Sequence, residues 1–237
     1  MSPRRGPELP YSMVAGVTPW GKKWIVASAK MAAATFAPDE PKVRDSFRDV
    51  LDDRPSFVAV VVNAPIGYQD APGMGHRECD DEARALLGKR RGLTVHDAPT
   101  RASIEGVETE IPDRLDAVTA TLMPRYREVA LEMSSFRQRV VYSGNPELSF
   151  YQLNDNRPML WSKRSEEGRA ERREVLIAKI PGINRILDFD EVRLPLTHLY
   201  DAAALLWTAR RVFGHAAKRI PSDGVWDSEG LRTEMVL

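Results

Sequence analysis

Four histidines, one cysteine and a scatter of carboxylates are the residues of this 237-residue chain whose types could do chemistry. His76, His96, His198 and His215 share no metal-binding spacing. Cys79 stands alone, so neither an internal disulfide nor a multi-cysteine zinc site can form. His198 and Asp201 lie three apart in an apolar helical stretch, which turns both toward one side. Such a pair suits a ligand, but without further ligands a surface pair at a helix start is the preferred reading. His96, followed by Asp97, could shuttle a proton near neutral pH; a replaceable loop residue is the plainer alternative. Nucleotide-phosphate loops of the GxGxxG and GxxxxGK types are absent, as are a GxSxG elbow and an HExxH pair.

Two basic clusters stand out: Lys89, Arg90 and Arg91, then Lys163 and Arg164 with Arg169, Arg172 and Arg173. Either could track a nucleic-acid backbone, though the glutamates interspersed in the second favour a solvated helix face. Asp70, Asp80 and Asp81 read as loop and helix-start carboxylates. Trp20 and Trp24 read as core or rim packing rather than stacking platforms.

Periodicity predicts the elements that must position these groups. Residues 13–18 and 23–29 are apolar runs separated by Pro19, Trp20 and Gly21, the spacing of an opening β-hairpin, and 31–36 offers a third strand. From Asp39, an N-cap with Pro41 in its first turn, Val43, Phe47, Val50 and Leu51 recur at helical spacing. Residues 57–62 (FVAVVV) are apolar on both faces, as a central strand covered on two sides requires. The strand ends in Asn-Ala-Pro-Ile-Gly, which leaves its C-terminal edge open. A helix over 77–87 stops at Gly88, and 88–112 reads as a loop or lid. Then follow a helix at 113–133 kinked at Pro124, a strand at 139–142, a helical turn near 147–153 and a charged helix at 166–180. The last helix is 196–214, with Leu199, Ala203, Leu206 and Trp207 on one face, and the tail 231–237 offers a strand.

Opening strands followed by alternating helices and strands predict one α/β domain over 13–237, preceded by a disordered tail at 1–12. With 43% hydrophobic residues the chain can build a sizeable core. Its 34 basic and 34 acidic residues cancel, which argues against strong non-specific attraction to nucleic acid or anionic membrane. The N-terminus carries no apolar h-region, and no apolar run approaches the ~20 residues that span a bilayer. A cytoplasmic protein with no membrane partner is expected.

Seven segments occur in an order and spacing that carry a resemblance: AGVTPWGKKWIVA, VVVNAPIGYQDAP, RECDDEARALLG, GNPELSFYQLN, SKRSEEGRAERREVL, HLYDAAALLWTARR and DSEGLRTEMVL. Over about residues 13–237 the chain resembles the predicted ribonuclease H-like (RNase H-like) nuclease family, a domain of unknown function numbered four-two-nine. The resemblance implies an RNase H-like α/β fold, a mixed sheet with helices on both faces. It also implies metal-dependent phosphodiester hydrolysis with Mg2+ or Mn2+, and nucleic acid as partner.

In such sites carboxylates converge at strand ends to hold divalent ions that stabilise the attacking water and the leaving oxygen. The family's first strand ends in aspartate where this chain has Thr18, and its strand before the Pro-Ile-Gly turn carries aspartate where this chain has Asn63. Glu147 and Asp201 are kept, so the resemblance assigns them as metal ligands, with Asn63 auxiliary and Thr18 beside it. Two carboxylates could hold one magnesium but hardly two. Arg77, Asp80, Arg84 and Gly88 match the family's Arg-x-Cys-Asp-x-x-Ala-Arg stretch. Arg77, Arg84 and Arg101 could grip phosphate oxygens, or form salt bridges with Asp80, Asp81 and Glu82. The expectation is a nuclease-like protein with a degenerate carboxylate set. The alternative is an inactive relative that binds nucleic acid, a nucleotide or a protein. A sugar or acetate kinase of the same superfold ranks last, for want of a phosphate loop.

Overall fold

The computed structural model describes residues 10–33, 35–70, 77–106 and 116–237. Strands β1 (Ser12–Trp20) and β2 (Lys23–Ala32) pair antiparallel from Ser12↔Met31 to Trp20↔Lys23. Two short strands, β3 (Thr35–Pro38) and β4 (Lys42–Arg44), both pair with β2. The helix expected from Asp39 is thus replaced at its start by a strand. Asp39 does not cap: its side chain takes the Lys30 ammonium at 3.2 Å, and its N–H bonds the Ser28 carbonyl. Ser46 is the cap instead, forming a capping box with Asp49, and α1 (Phe47–Leu51) is one short turn behind it. The third strand likewise shifts from 31–36 to 35–38, because β2 runs on to Ala32.

β5 (Phe57–Val62) lies parallel to β1, and α2 (Glu78–Gly92) follows. Gly88, with a φ of 70°, breaks the helix where expected, and a further short helical stretch follows it to Gly92. The stretch expected as a lid therefore contains the end of α2 and a short helix, α3 (Arg101–Glu105); residues 107–112 lie outside those described. Next come α4 (Ala117–Glu132), which holds Pro124 inside it, and β6 (Val141–Ser143), parallel to β5. The chain closes with α5 (Pro146–Leu153), α6 (Glu166–Lys179), α7 (Asn184–Leu187) and α8 (Leu196–Phe213), then a small hairpin of β7 (Arg219–Ile220) and β8 (Met235–Val236). The expected tail at 1–12 is partly resolved as structure, since Ser12 already belongs to β1; residues 1–9 lie outside those described.

The sheet order is β3-β2-β1-β5-β6, with β4 also on β2. Three antiparallel strands continued by two parallel ones make the RNase H-like mixed sheet. Side chains alternate along it, save at the irregularity where Met13 faces Phe57 and Val14 faces Ala59. Val14, Ala59 and Val61 point to a core shared with α5, α6 and α8. Ala15, Val17, Val60 and Val62 point to the opposite core, under α1 and α4. Helices therefore cover both faces, which explains why FVAVVV carries no polar side. Among the described residues no helix is long and apolar enough to cross a membrane.

Candidate functional site

Parallel pairing brings the C-terminal ends of β1, β5 and β6 to one edge of the sheet. The ladder persists just past the strands, with Asn63 N on Val17 O at 2.8 Å and Gly144 N on Val62 O at 3.0 Å. Thr18 and Asn63 are thereby neighbours, and Asn63 Nδ2 donates to Thr18 Oγ1 at 3.3 Å. After β6, Asn145 caps α5 by accepting from Glu147 N at 2.9 Å, with Pro146 opening the helix. Glu147 then sits at the positive end of the helix dipole.

Asp201 reaches the same edge because α8 lies directly on β1. A Cβ at Gly16 would stand 2.1 Å from Leu206 N and 2.2 Å from Ala202 O, so only glycine permits that approach. One turn earlier, His198 stands beside the Pro19 carbonyl at the end of β1, which raises the imidazole pKa. The structure thus brings Thr18, Asn63, Glu147 and Asp201 to the wall of one cleft of about 770 Å³. Arg91, Lys163, Arg164 and His198 line it with them.

Each of the two carboxylates already has a cation. Lys163 Nζ is 2.5 Å from Asp201 Oδ2, whose side chain is 2% exposed. Arg172 Nη2 is 2.7 Å from Glu147 Oε1, and both side chains are buried. Arg172 also donates through Nη1 to the carbonyls of Trp161 and Gly168, both at 3.0 Å. Arg91 adds a third positive group near Glu147: burial draws its guanidinium below the ordinary value, while the Glu147 charge opposes that. Glu147 Oε2 and Asp201 Oδ1 are buried and accept no hydrogen bond among the described residues. Burial also holds the His198 imidazole below its ordinary value; Asp201 raises it and Lys163 lowers it.

A pair of divalent ions, the group the resemblance implies at such an edge, does not fit this donor set. Two acids face two tethered cations, so the four groups carry no net charge to offset even one incoming ion. Among the described residues no three His, Cys, Asp or Glu side chains cluster as a metal site would need. A thiol nucleophile is also excluded, since Cys79 is buried and burial pushes its pKa up to about 11.

The arginines expected to grip phosphate are engaged by the protein itself. Arg77 is buried, pairs with Asp80 through both Nε (2.9 Å) and Nη2 (2.7 Å), and donates to the carbonyls of Ile66 and Gly67. Arg84 bonds Asp81 at 2.9 Å, Asp97 and the Val95 carbonyl. Arg101 meets Asp70 at 3.1 Å, Asp227 at 2.6 Å and Glu229 at 3.0 Å. Of the three, only Arg77 lines the cleft, and a phosphate there would have to compete with Asp80. Among the described residues Glu82, expected in this network, forms no ion pair with any of them. Asp70, Asp80 and Asp81 are arginine partners, so none is free to replace the missing acids. His96 lines the cleft with Nδ1 3.0 Å from Asp116. The surface reading of His198 and Asp201 is overturned by burial: Asp201 is 1% exposed and faces the cleft.

Arg172 is the residue sequence reading misplaced most. The glutamates around it suggest a solvated face, yet it is fully buried. A signal was present: Gly168, Arg172 and Leu176 recur every four residues and all three are buried, so they form the inward stripe of α6.

The family described as "Protein of unknown function (DUF429)" matches residues 16–224. Among solved structures, T. thermophilus RuvC in complex with a Holliday junction substrate is 17% identical over 87% of this chain and 98% of that one, with a TM-score of 0.38. A Thermus thermophilus RuvC structure is 16% identical over the same shares, with a TM-score of 0.35. No curated protein matches the chain.

Proposed function

The chain belongs to the DUF429 family, and from its RNase H-like sheet we propose a nuclease-related protein whose cleft holds a phosphodiester of nucleic acid. It does so through tethered cations rather than by two-metal hydrolysis. One observation carries this reading: Glu147 and Asp201 are both neutralised, while Arg164 at the same cleft meets no described carboxylate. Such a cleft presents positive groups in surplus to any anion that enters. Arg164 is the group that would meet phosphate oxygens, and Asn63 offers a neutral hydrogen bond beside it. That superfold analogy supplies the class of ligand, whereas the charges supply the mode of binding.

Fluorescence anisotropy with labelled single- and double-stranded DNA and RNA tests this. Arg164→Ala should weaken binding roughly tenfold and flatten its dependence on salt by about one released ion. Unchanged affinity in that variant would reject the assignment.

A second reading is favoured by the unpartnered oxygens Glu147 Oε2 and Asp201 Oδ1. On that reading a single Mg2+ or Mn2+ binds to Glu147 and Asp201, and the protein hydrolyses its ligand. It requires Lys163 to leave Asp201.

A further inference from the structure

We infer that the ε-ammonium of Lys163 is the resident cation of this site and occupies the place of a divalent ion at Asp201. The inference rests on taking the cleft as the RNase H-like site, but not on what ligand the cleft binds. Asp201 is a carboxylate 2% exposed, and such a group needs a positive partner. Its partner is a lysine from outside the helix, 2.5 Å away. The Asp201 charge is thus offset by a cation covalently tied to the chain, which no chelator can remove.

The segment carrying Lys163 is built to deliver it. Ser165 N bonds the Ser162 carbonyl at 3.0 Å, and Ser165 Oγ bonds the same carbonyl at 3.1 Å. Ser165 then caps α6 by accepting from Gly168 N at 3.1 Å. A Cβ at Gly168 would lie 1.9 Å from Ser162 O, so the turn can close this tightly only over glycine. Upstream, Arg91 from α2 donates to the carbonyls of Met159 (2.8 Å) and Leu160 (2.9 Å). Glu171 accepts from Leu160 N at 2.7 Å and Trp161 N at 3.0 Å. Both flanks of Lys163 are therefore held by side chains of α2 and α6, and its ammonium is aimed inward from a fixed backbone.

Arg172 performs the matching task at Glu147, from a wholly buried position. The two cations differ in freedom. Arg172 is locked by three acceptors, whereas Lys163 has a side chain 37% exposed and one acid partner. Lys163 is thus the cation whose removal would expose a metal-binding pair: the oxygens left open would be both of Asp201 and Oε2 of Glu147.

Manganese binding to the full chain, followed by electron paramagnetic resonance of free Mn2+, tests the inference without any activity assay. Wild type should bind no Mn2+ below millimolar concentration. Lys163→Met, which keeps most of the stem and removes the charge, should bind at least tenfold more tightly. Adding Asp201→Asn should abolish that gain, and Lys163→Arg, which keeps a cation, should behave as wild type. Equal affinity of wild type and folded Lys163→Met would overturn the inference. Should Lys163→Met fail to fold, 15N-lysine labelling of wild type decides instead. The Lys163 ammonium resonance should stay unchanged through a Mg2+ titration to several millimolar; displacement of that resonance would overturn the inference. Loss of nucleic-acid binding by Arg164→Ala leaves these results untouched, so the two readings fail separately.

Discussion

Arg172 and Glu147 form an ion pair at 2.7 Å in which neither side chain is more than 6% exposed. Such a pair contributes little net stability when intact, but breaking it leaves a buried charge alone. Glu147→Ala should therefore cost about 3–5 kcal/mol in urea unfolding. Glu147→Gln, which keeps an acceptor for Nη2, should cost less. Removing both charges with Glu147→Met and Arg172→Met should recover most of the loss. A double variant as unstable as Glu147→Ala would show that the charges are not coupled as described.

His198 gives a pH signature. Burial lowers its pKa from the ordinary 6.5, so the folded protein binds that proton less readily than the unfolded chain. The sign follows: stability falls as pH drops from about 6.5 toward the lowered folded value, and the His198 contribution is constant below it. NMR titration of the imidazole should place its midpoint under the ordinary value. Because Lys163 lowers and Asp201 raises this pKa, Lys163→Met should move the midpoint up and Asp201→Asn should move it down. Movement in the opposite directions would contradict the arrangement of the three side chains.

Asp227 ties the C-terminal segment to the rest of the protein. Its buried carboxylate accepts from Tyr68 N (3.2 Å), Arg101 Nη2 (2.6 Å), Glu229 N (3.0 Å) and Leu231 N (2.8 Å). Asp227→Ala should cost about 3 kcal/mol, since it strands several donors at once. Oligonucleotide affinity of the folded variant should not change, because neither Asp227 nor Arg101 lines the cleft. A large loss of affinity without loss of stability would instead assign Arg101 to the ligand.

Restoring acids at the strand ends should unsettle the fold. Thr18 is fully buried, so Thr18→Asp with Asn63→Asp should lower metal-free stability by about 3 kcal/mol or more. Mn2+ should raise the melting temperature of this variant, leave wild type unchanged, and lose its effect when Asp201→Ala is added. Equal response of variant and wild type in differential scanning calorimetry would refute this.

The sheet was legible because its strands announce themselves. FVAVVV has no polar face, and the runs flanking Pro19–Gly21 allow little but a hairpin. β4 was not legible, because Val43 and Phe47 fit a helical period while a better cap, Ser46, lay inside the stretch. The positions Thr18, Asn63, Glu147 and Asp201 could be placed together from the order of segments. Their counter-charges could not, because Lys163 and Arg172 lie 38 and 25 residues from their partners. Only the folded chain brings those cations in.

The central claim is that the cleft binds a phosphodiester without a metal. It is tested most directly by anisotropy of a labelled oligonucleotide in EDTA and in Mg2+, with the strand's integrity followed on a denaturing gel. The account predicts equal affinity in both conditions at matched ionic strength, and an intact strand throughout. Binding that appears only with Mg2+, or steady cleavage by the unmodified chain, would contradict it.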